Sequence, residues 1–329
     1  MGNANASRGG VAAFKRLFGF RDFGVVAAAL LIAAFFSLTS PVFLTAYNFF
    51  NLLRQTAGLG IVAMAMTVLI VSGEFDLSVG AIYAVTGVVT GLATKSLGLN
   101  IWLSAVLGLS SAMLLGLLNG LLVTLTKINS FIATLATQMV YRGIAMVLSQ
   151  GQPVSNFDED PFYSILGRSE VFGLVPVQIL WLLASGLVLF AALHRTTFGV
   201  RVYASGDNRD AAELAGIKTA RVKRACFLVT AAAAGLASLV SLGYLKTVTP
   251  TQGTNLELEA IAAAVIGGTS MSGGIGSIVG TFIGTFIMAE VRTGLVLLGT
   301  DAYVQDAFVG LVIALAVIVN VKVSGRKAI

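Results

Sequence analysis

Apolar residues run in long blocks along this chain, and polar residues gather in short clusters between them. The blocks fall at residues 23–38, 57–72, 79–94, 101–125, 131–148, 177–193, 225–242, 260–266, 278–289 and 307–321. A helix needs about 20 residues to cross roughly 30 Å of hydrocarbon, and several blocks reach that length. Alternation of period two is absent and Gly, Ala and Leu dominate, which argues against membrane strands. The pattern predicts an all-α, polytopic transmembrane bundle of about ten membrane segments.

Two blocks depart from the rule. Block 57–72 amounts to about 24 Å of helix, and block 260–266 is far too short to cross alone. Each ends in a polar or glycine-rich break: VSGEFDLSVG over 71–80 and GGTSMSGGIGS over 267–277. The chain is therefore expected to hold two interrupted hairpins, the second broken at Gly267, Gly268, Gly273, Gly274 and Gly276. Paired interrupted segments in a transporter point at the pathway. An offset match of Ile70, Gly80 and Ile82 with Ile266, Gly276 and Ile278 suggests an internal repeat, although most other pairs differ. Whether each hairpin crosses or re-enters, it leaves on the side from which it came.

Composition agrees with the pattern: 57% hydrophobic, 11% charged and a mean hydropathy of +0.91 exclude an ordinary soluble globule. The bases orient the chain, because Lys and Arg beside span ends stay cytoplasmic. Arg8, Lys15, Arg16 and Arg21 precede the first block, and Lys322, Arg326 and Lys327 follow the last. Arg195, Arg201, Arg209, Lys218, Arg221, Lys223 and Arg224 crowd one internal loop. Counting blocks from a cytoplasmic N-terminus places 150–176 outside, 194–224 inside and the C-terminus inside, so parity and charge agree. The expected division is a cytoplasmic tail 1–22, a transmembrane domain 23–321 and a cytoplasmic tail 322–329. The first block reads as an uncleaved span rather than a signal peptide, since further spans follow. The opening MGNANASRGG is expected to be disordered, and Ala6 breaks the myristoylation pattern.

Catalytic constellations are missing. No G-x-x-x-x-G-K-[ST] occurs, so ATP hydrolysis is not expected on this chain. His194 and the single thiol, Cys226, read as packing residues, with no intrachain disulfide and no His/Cys metal cluster. The run from Gly274, GIGSIVG, has the wrong spacing and context for a dinucleotide fingerprint. Small residues four apart, at Gly87 and Gly91, Gly116 and Gly120, and Gly276, Gly280 and Gly284, predict close helix packing. The internal loop is the most polar region of the chain. In it, residues 210–215 read as a short helix ended by Gly216, a projecting surface whose mixed charges exceed what orientation alone requires.

SGEFDLSVG, SFIATLATQMVYRG, GDNRDAAELAGIKTARVK and ELEAIAAAVIGGTSMSGGIGS occur in this order. Together with FLTAYNFFNLLRQ they resemble the membrane permease of bacterial ribose-type ABC sugar importers, from about residue 43 to the last span. The resemblance implies an inner-membrane, multi-pass subunit that pairs with a second copy and receives solute from a periplasmic binding protein. It also implies docking on a cytoplasmic ATPase that carries the ATP and Mg, with no cofactor on this chain and no nucleic-acid partner. The coupling segment maps onto Gly206, Asp207, Asn208, Arg209, Asp210, Ala211, Ala212, Glu213 and Gly216. Two departures stand out: Glu74-Phe75 replace the commoner Gly-Ile, and Ser130 replaces the commoner Pro.

Pathway candidates are Glu74, Asp76, Ser78, Phe131, Gln138 and Arg142. Asp76 and Ser78 either satisfy free N–H groups at a helix start, with Ser78 as an N-cap, or contact cargo. Glu74 either pairs with a base at the cytoplasmic face or lines the lower pathway as a gate. Gln138 and Arg142 share a helix face, and Arg142 is expected near the outer mouth, anchoring residues 158–160 or meeting cargo. Glu257 and Glu259 are expected outside, as solvated acids or a docking edge. Phe131, Tyr141 and Tyr83 could stack on a sugar or simply pack. Three functions compete: the ABC sugar permease, an ABC permease for amino acids or urea, and an autonomous ion-coupled transporter.

Overall fold

The computed structural model describes residues 20–325, so the N-terminal stretch expected to be disordered, with Arg8, Lys15 and Arg16, and the terminal Arg326 and Lys327 lie outside the described residues. The helices are α1 (Phe20–Thr39), α2 (Ala46–Val71), α3 (Val79–Lys95), α4 (Ile101–Thr126), α5 (Ser130–Ser149), α6 (Val177–Arg195), α7 (Thr197–Asp207), α8 (Arg209–Leu214), α9 (Thr219–Leu245), α10 (Leu256–Ile266), α11 (Ile278–Leu297) and α12 (Ala302–Gly325). Among the described residues, α2, α4, α5, α6, α9 and α11 are long and apolar enough to cross a membrane. A short turn (Pro161–Tyr163, then Ser164–Arg168) and a two-stranded ribbon, Glu170–Val171 paired antiparallel with Val175–Pro176, lie between α5 and α6. The all-α reading holds.

Local chemistry sets the tight α4–α5 corner. Lys127 ends α4 in the left-handed region at φ 58°, and the Asn129 side chain caps α5 by accepting the Phe131 N–H at 2.9 Å. α2 occupies the centre of the bundle against α9, α11, α6 and α10. Its second half, from Gly60 to Val71, is wholly buried. Small residues there let neighbours come close, and Leu182 of α6 fills the space that a side chain on Gly60 would need.

Two block boundaries need correction. The apolar block at 57–72 is the end of a helix that starts at Ala46 and spans 26 residues, so it is not short. Polar residues conceal its first part, and two of them find partners outside the helix: Asn48 Nδ2 donates to Phe43 O at 2.8 Å, in the preceding turn, and Arg54 Nη1 to the Tyr244 hydroxyl of α9 at 3.0 Å. The block at 260–266 is likewise not alone. α10 starts at Leu256, and the preceding chain runs non-helically beside α3, with Val248 against Gly87 and Gly91 and Gly253 against Gly80. Irregular backbone at depth needs partners. Val248 exchanges both backbone bonds with Val154 at 2.9 Å, and Arg142 of α5 donates to Pro250 O at 2.7 Å and Gln252 O at 2.8 Å.

The bundle has two distinct ends. At one, Lys95 Nζ donates to Asn156 O at 2.8 Å, Lys246 pairs with Glu159, and Arg168 donates to Tyr244 O at 3.2 Å. Both hairpin breaks and α7 meet at the other.

Candidate functional site: the junction of two hairpin breaks

The first break, residues 72–78, is held by side chains. Asp76 is fully buried, and its Oδ1 accepts the Ser78 N–H at 2.8 Å and the Ser78 hydroxyl at 2.7 Å. Asn119 of α4 donates to both Asp76 oxygens at 3.3 and 3.2 Å and to Ser78 Oγ at 2.7 Å. Tyr141 of α5 donates to Asn119 Oδ1 at 2.9 Å, which fixes the amide with its nitrogen toward the acid. Ser130 and Thr134 of α5 accept the Phe75 and Leu77 N–H groups at 3.1 and 2.9 Å. Asp76 therefore does satisfy an N–H group at the helix start. Ser78 does not act as an N-cap: its own backbone is helical (φ −86°, ψ −3°) and its hydroxyl is spent on Asp76.

The second break, residues 267–277, is held by backbone. Gly268, Gly273 and Gly274 adopt φ of 89°, 83° and 69°, a region that side chains disfavour. A Cβ on Gly267 would overlap the Gly280 backbone, and one on Gly276 the Val71 side chain. The two breaks bond directly, Gly274 N–H to Val71 O at 2.9 Å.

The polar segment at 194–224 is mostly helical and runs into this junction. A Cβ on Gly206 would collide with Val71 O and lie 2.8 Å from Gly274 N, while Gly273 has Gly206 O as its neighbour. The Tyr203 hydroxyl donates to Gly276 O at 2.7 Å. Asn208 caps α8 by accepting the Ala211 N–H at 3.0 Å. Gly216, at φ 83°, ends it with Ile217 N–H bonding Ala212 O and Gly216 N–H bonding Glu213 O, both at 3.0 Å, a Schellman pattern. The short helix read from sequence is present, one residue earlier than expected. Glu213 accepts from Arg209 Nε at 3.1 Å and from the Thr219 hydroxyl, and these donors hold its carboxyl below the ordinary glutamate value. Asp207, Arg209, Asp210 and Ala211 face solvent, whereas Ala212 is buried against the bundle. Leu214, which sequence reading missed, is 90% exposed at the tip.

A cavity of about 570 Å³ opens at this junction, lined by Glu74, Phe131, Lys127, Arg209, Met271 and Ile261 among others. It joins the Glu74 and Phe131 candidates to the polar segment's Arg209. Glu74 both pairs with Lys223 of α9 and lines the cavity, so the two alternatives read for it from sequence are not exclusive. The two departures noted in sequence meet here, since the Phe75 N–H is taken by the Ser130 hydroxyl, an acceptor that proline lacks.

Gln138 and Arg142 lie elsewhere. Gln138 donates to Glu257 Oε1 at 2.8 Å. Arg142 holds residues 250–252 and not residues 158–160, because the irregular chain beside α3 presents carbonyls that need donors. Glu257 and Glu259 are not solvated docking acids: Glu257 is 4% exposed, and Glu259 accepts from Arg292 at 2.6 Å. Tyr141 is a buried hydrogen-bond donor rather than a stacking platform. Asn119 was also missed, although a lone amide between Gly116 and Gly120 in an apolar span was a usable signal.

Residues 48–317 match the family described as branched-chain amino acid transport system / permease component. The ribose import permease protein RbsC of Bacillus subtilis (strain 168) is 40% identical over 289 residues, covering 88% of this chain and 89% of the relative. RbsC of Escherichia coli (strain K12) is 38% identical over 304 residues, covering 90% and 92%. The xylose transport system permease protein XylH of Escherichia coli (strain K12) is 32% identical over 368 residues, covering 94% and 93%. No solved structure matches the chain. With matches of this extent, and with apolar helices long enough to cross a membrane, the chain is an inner-membrane transport permease rather than an enzyme and belongs to the ribose-type ABC sugar permease family.

Proposed function

We propose that this chain is the permease subunit of an importer that moves a monosaccharide or sugar-like solute by alternating access, driven by ATP and Mg bound on a separate cytoplasmic ATPase. The observation that carries the reading is the seat of Gly206 against both hairpin breaks. A force on α8, which ends in the exposed Leu214, reaches the two breaks that border the Glu74 cavity through the close seat of Gly206 and the Tyr203–Gly276 bond. Asp207, Arg209, Asp210, Ala211 and Leu214 form the ATPase-facing surface. Gly206, Asn208, Ala212, Glu213 and Gly216 set its shape.

In this reading the chain makes ten passes with both termini cytoplasmic, residues 246–266 forming one pass in two halves and the breaks lying at the cytoplasmic end. The Lys95 and Lys246 end then faces the periplasm and the solute-binding protein. The exposed apolar face of α5, with Ile132, Leu135, Met139 and Val140, suits a second permease copy. Sugar cargo is favoured by the ribose and xylose relatives; the matched family's description favours an amino-acid alternative.

The deciding experiment reconstitutes the permease with its ATPase and binding protein and screens sugars and branched-chain amino acids for stimulated ATP hydrolysis and uptake. Sugar-stimulated turnover is expected. Uptake in liposomes under an ion gradient without ATPase would instead support the autonomous ion-coupled transporter.

A further inference from the structure

A second cavity, of about 490 Å³, lies between α1, the corner before α2, and α11, remote from the hairpin junction. Its wall is apolar and aromatic, with Phe43, Phe49, Phe50, Phe286 and Ala33, and Glu290 is the one ionisable group among the described residues that line it. Glu290 is 2% exposed, and its buried Oε2 has no hydrogen-bond partner. The nearby base on the same helix, Arg292, is committed to Glu259 at 2.6 Å. An unpaired carboxylate in such surroundings costs several kcal/mol unless it takes up a proton or gains a cation, and no cation lines this cavity among the described residues.

We infer that this cavity is a lipid-accessible binding site for a primary-ammonium amphiphile, whose cation pairs with Glu290 while its alkyl chain lies among the phenylalanines. Three features select that chemistry. The carboxylate supplies the negative charge, its open Oε2 requires a ligand that donates a hydrogen bond, which a quaternary ammonium does not, and the aromatic faces attract a cation. Among the described residues the lining holds no base for a phosphate or carboxylate, so anionic amphiphiles are disfavoured. An occupant would tie α1 to α11, at a place independent of the proposed pathway.

The test uses the full chain in phosphatidylcholine nanodiscs at pH 7, titrated with n-octylammonium and with n-octanol. Octylammonium is expected to show one saturable site per chain above lipid partitioning, and octanol none. Glu290→Gln should weaken octylammonium binding by roughly tenfold or more, and Ala33→Phe, which fills the cavity without touching the acid, should abolish it. Without ligand, Glu290→Met should raise Tm, because the unpaired acid is replaced by an apolar side chain of similar size. Phosphatidylethanolamine in the disc distinguishes the sources: competition assigns the site to the lipid headgroup, and its absence assigns it to free amines. Saturable octanol binding, octylammonium binding unchanged in Glu290→Gln, or a lowered Tm in Glu290→Met would each overturn the inference.

Discussion

The two hairpin breaks do the same geometric job by opposite means. In the first, an acid, an amide, a phenol and three hydroxyls saturate one another and the local N–H groups. In the second, glycines reach backbone shapes and contacts closed to other residues, and few side chains take part. A side-chain lock concentrates its energy in a few buried polar groups, each costly to strand. A glycine lock spreads it over steric allowances. The first should fail abruptly when one partner goes, and the second in proportion to the volume added.

The largest effect tests that contrast directly. Asn119→Leu leaves Asp76 buried without its amide donors and is expected to cost about 3–5 kcal/mol, read as loss of the folded protein in thermal unfolding of the purified chain. Tyr141→Phe removes the group that orients the amide and should cost about 1 kcal/mol. If the double variant cost the simple sum of the two, the network would not be cooperative.

Gly267→Ala comes next. Its Cβ must displace the Gly280 backbone, at about 1–3 kcal/mol, while Gly268→Ala meets only the backbone penalty of its φ of 89° and should cost about 1 kcal/mol. Thermal unfolding of both separates contact from conformation at the second break.

The Glu74–Lys223 pair is a smaller matter, because both side chains retain some exposure, 11% and 10%. Glu74→Gln and Lys223→Met should each destabilise modestly, and the double variant should cost less than their sum, with a coupling of about 1 kcal/mol. Transport by the single variants shows whether the pair also gates: uptake equal to the parent would assign it to structure alone.

The smallest effect belongs to α8. Glu213 has a depressed carboxyl through the Thr219 hydroxyl and Arg209. Its contribution is therefore complete above the unfolded glutamate value of 4.5 and fades as pH falls toward the lower folded value. Amide exchange corrected for its intrinsic pH dependence should show reduced protection of residues 211–217 in that window, and Glu213→Gln should flatten the profile. A flat profile in the parent would remove the Thr219 and Arg209 bonds from any account of α8.

The positions of the breaks were legible because glycine and carboxylate stand out against an apolar chain, and the end of the short helix because Gly216 is a strong local signal, whereas its cap at Asn208 went unread. The true starts of α2 and α10 were not, since Asn48, Arg54 and Glu257 interrupt the apolar pattern and are satisfied only by partners distant in sequence or in the preceding turn.

The sequence by itself determined the class, the two interruptions and the family, all of which rest on local composition and ordered motifs. Only the tertiary structure decided who partners whom. Glu74 with Lys223, Asp76 with Asn119, Arg142 with the carbonyls of Pro250 and Gln252, and Gly206 against both breaks are contacts across 43 or more residues. Hydrogen-bond and charge demand is visible in a sequence, but the donor that meets it is chosen by packing.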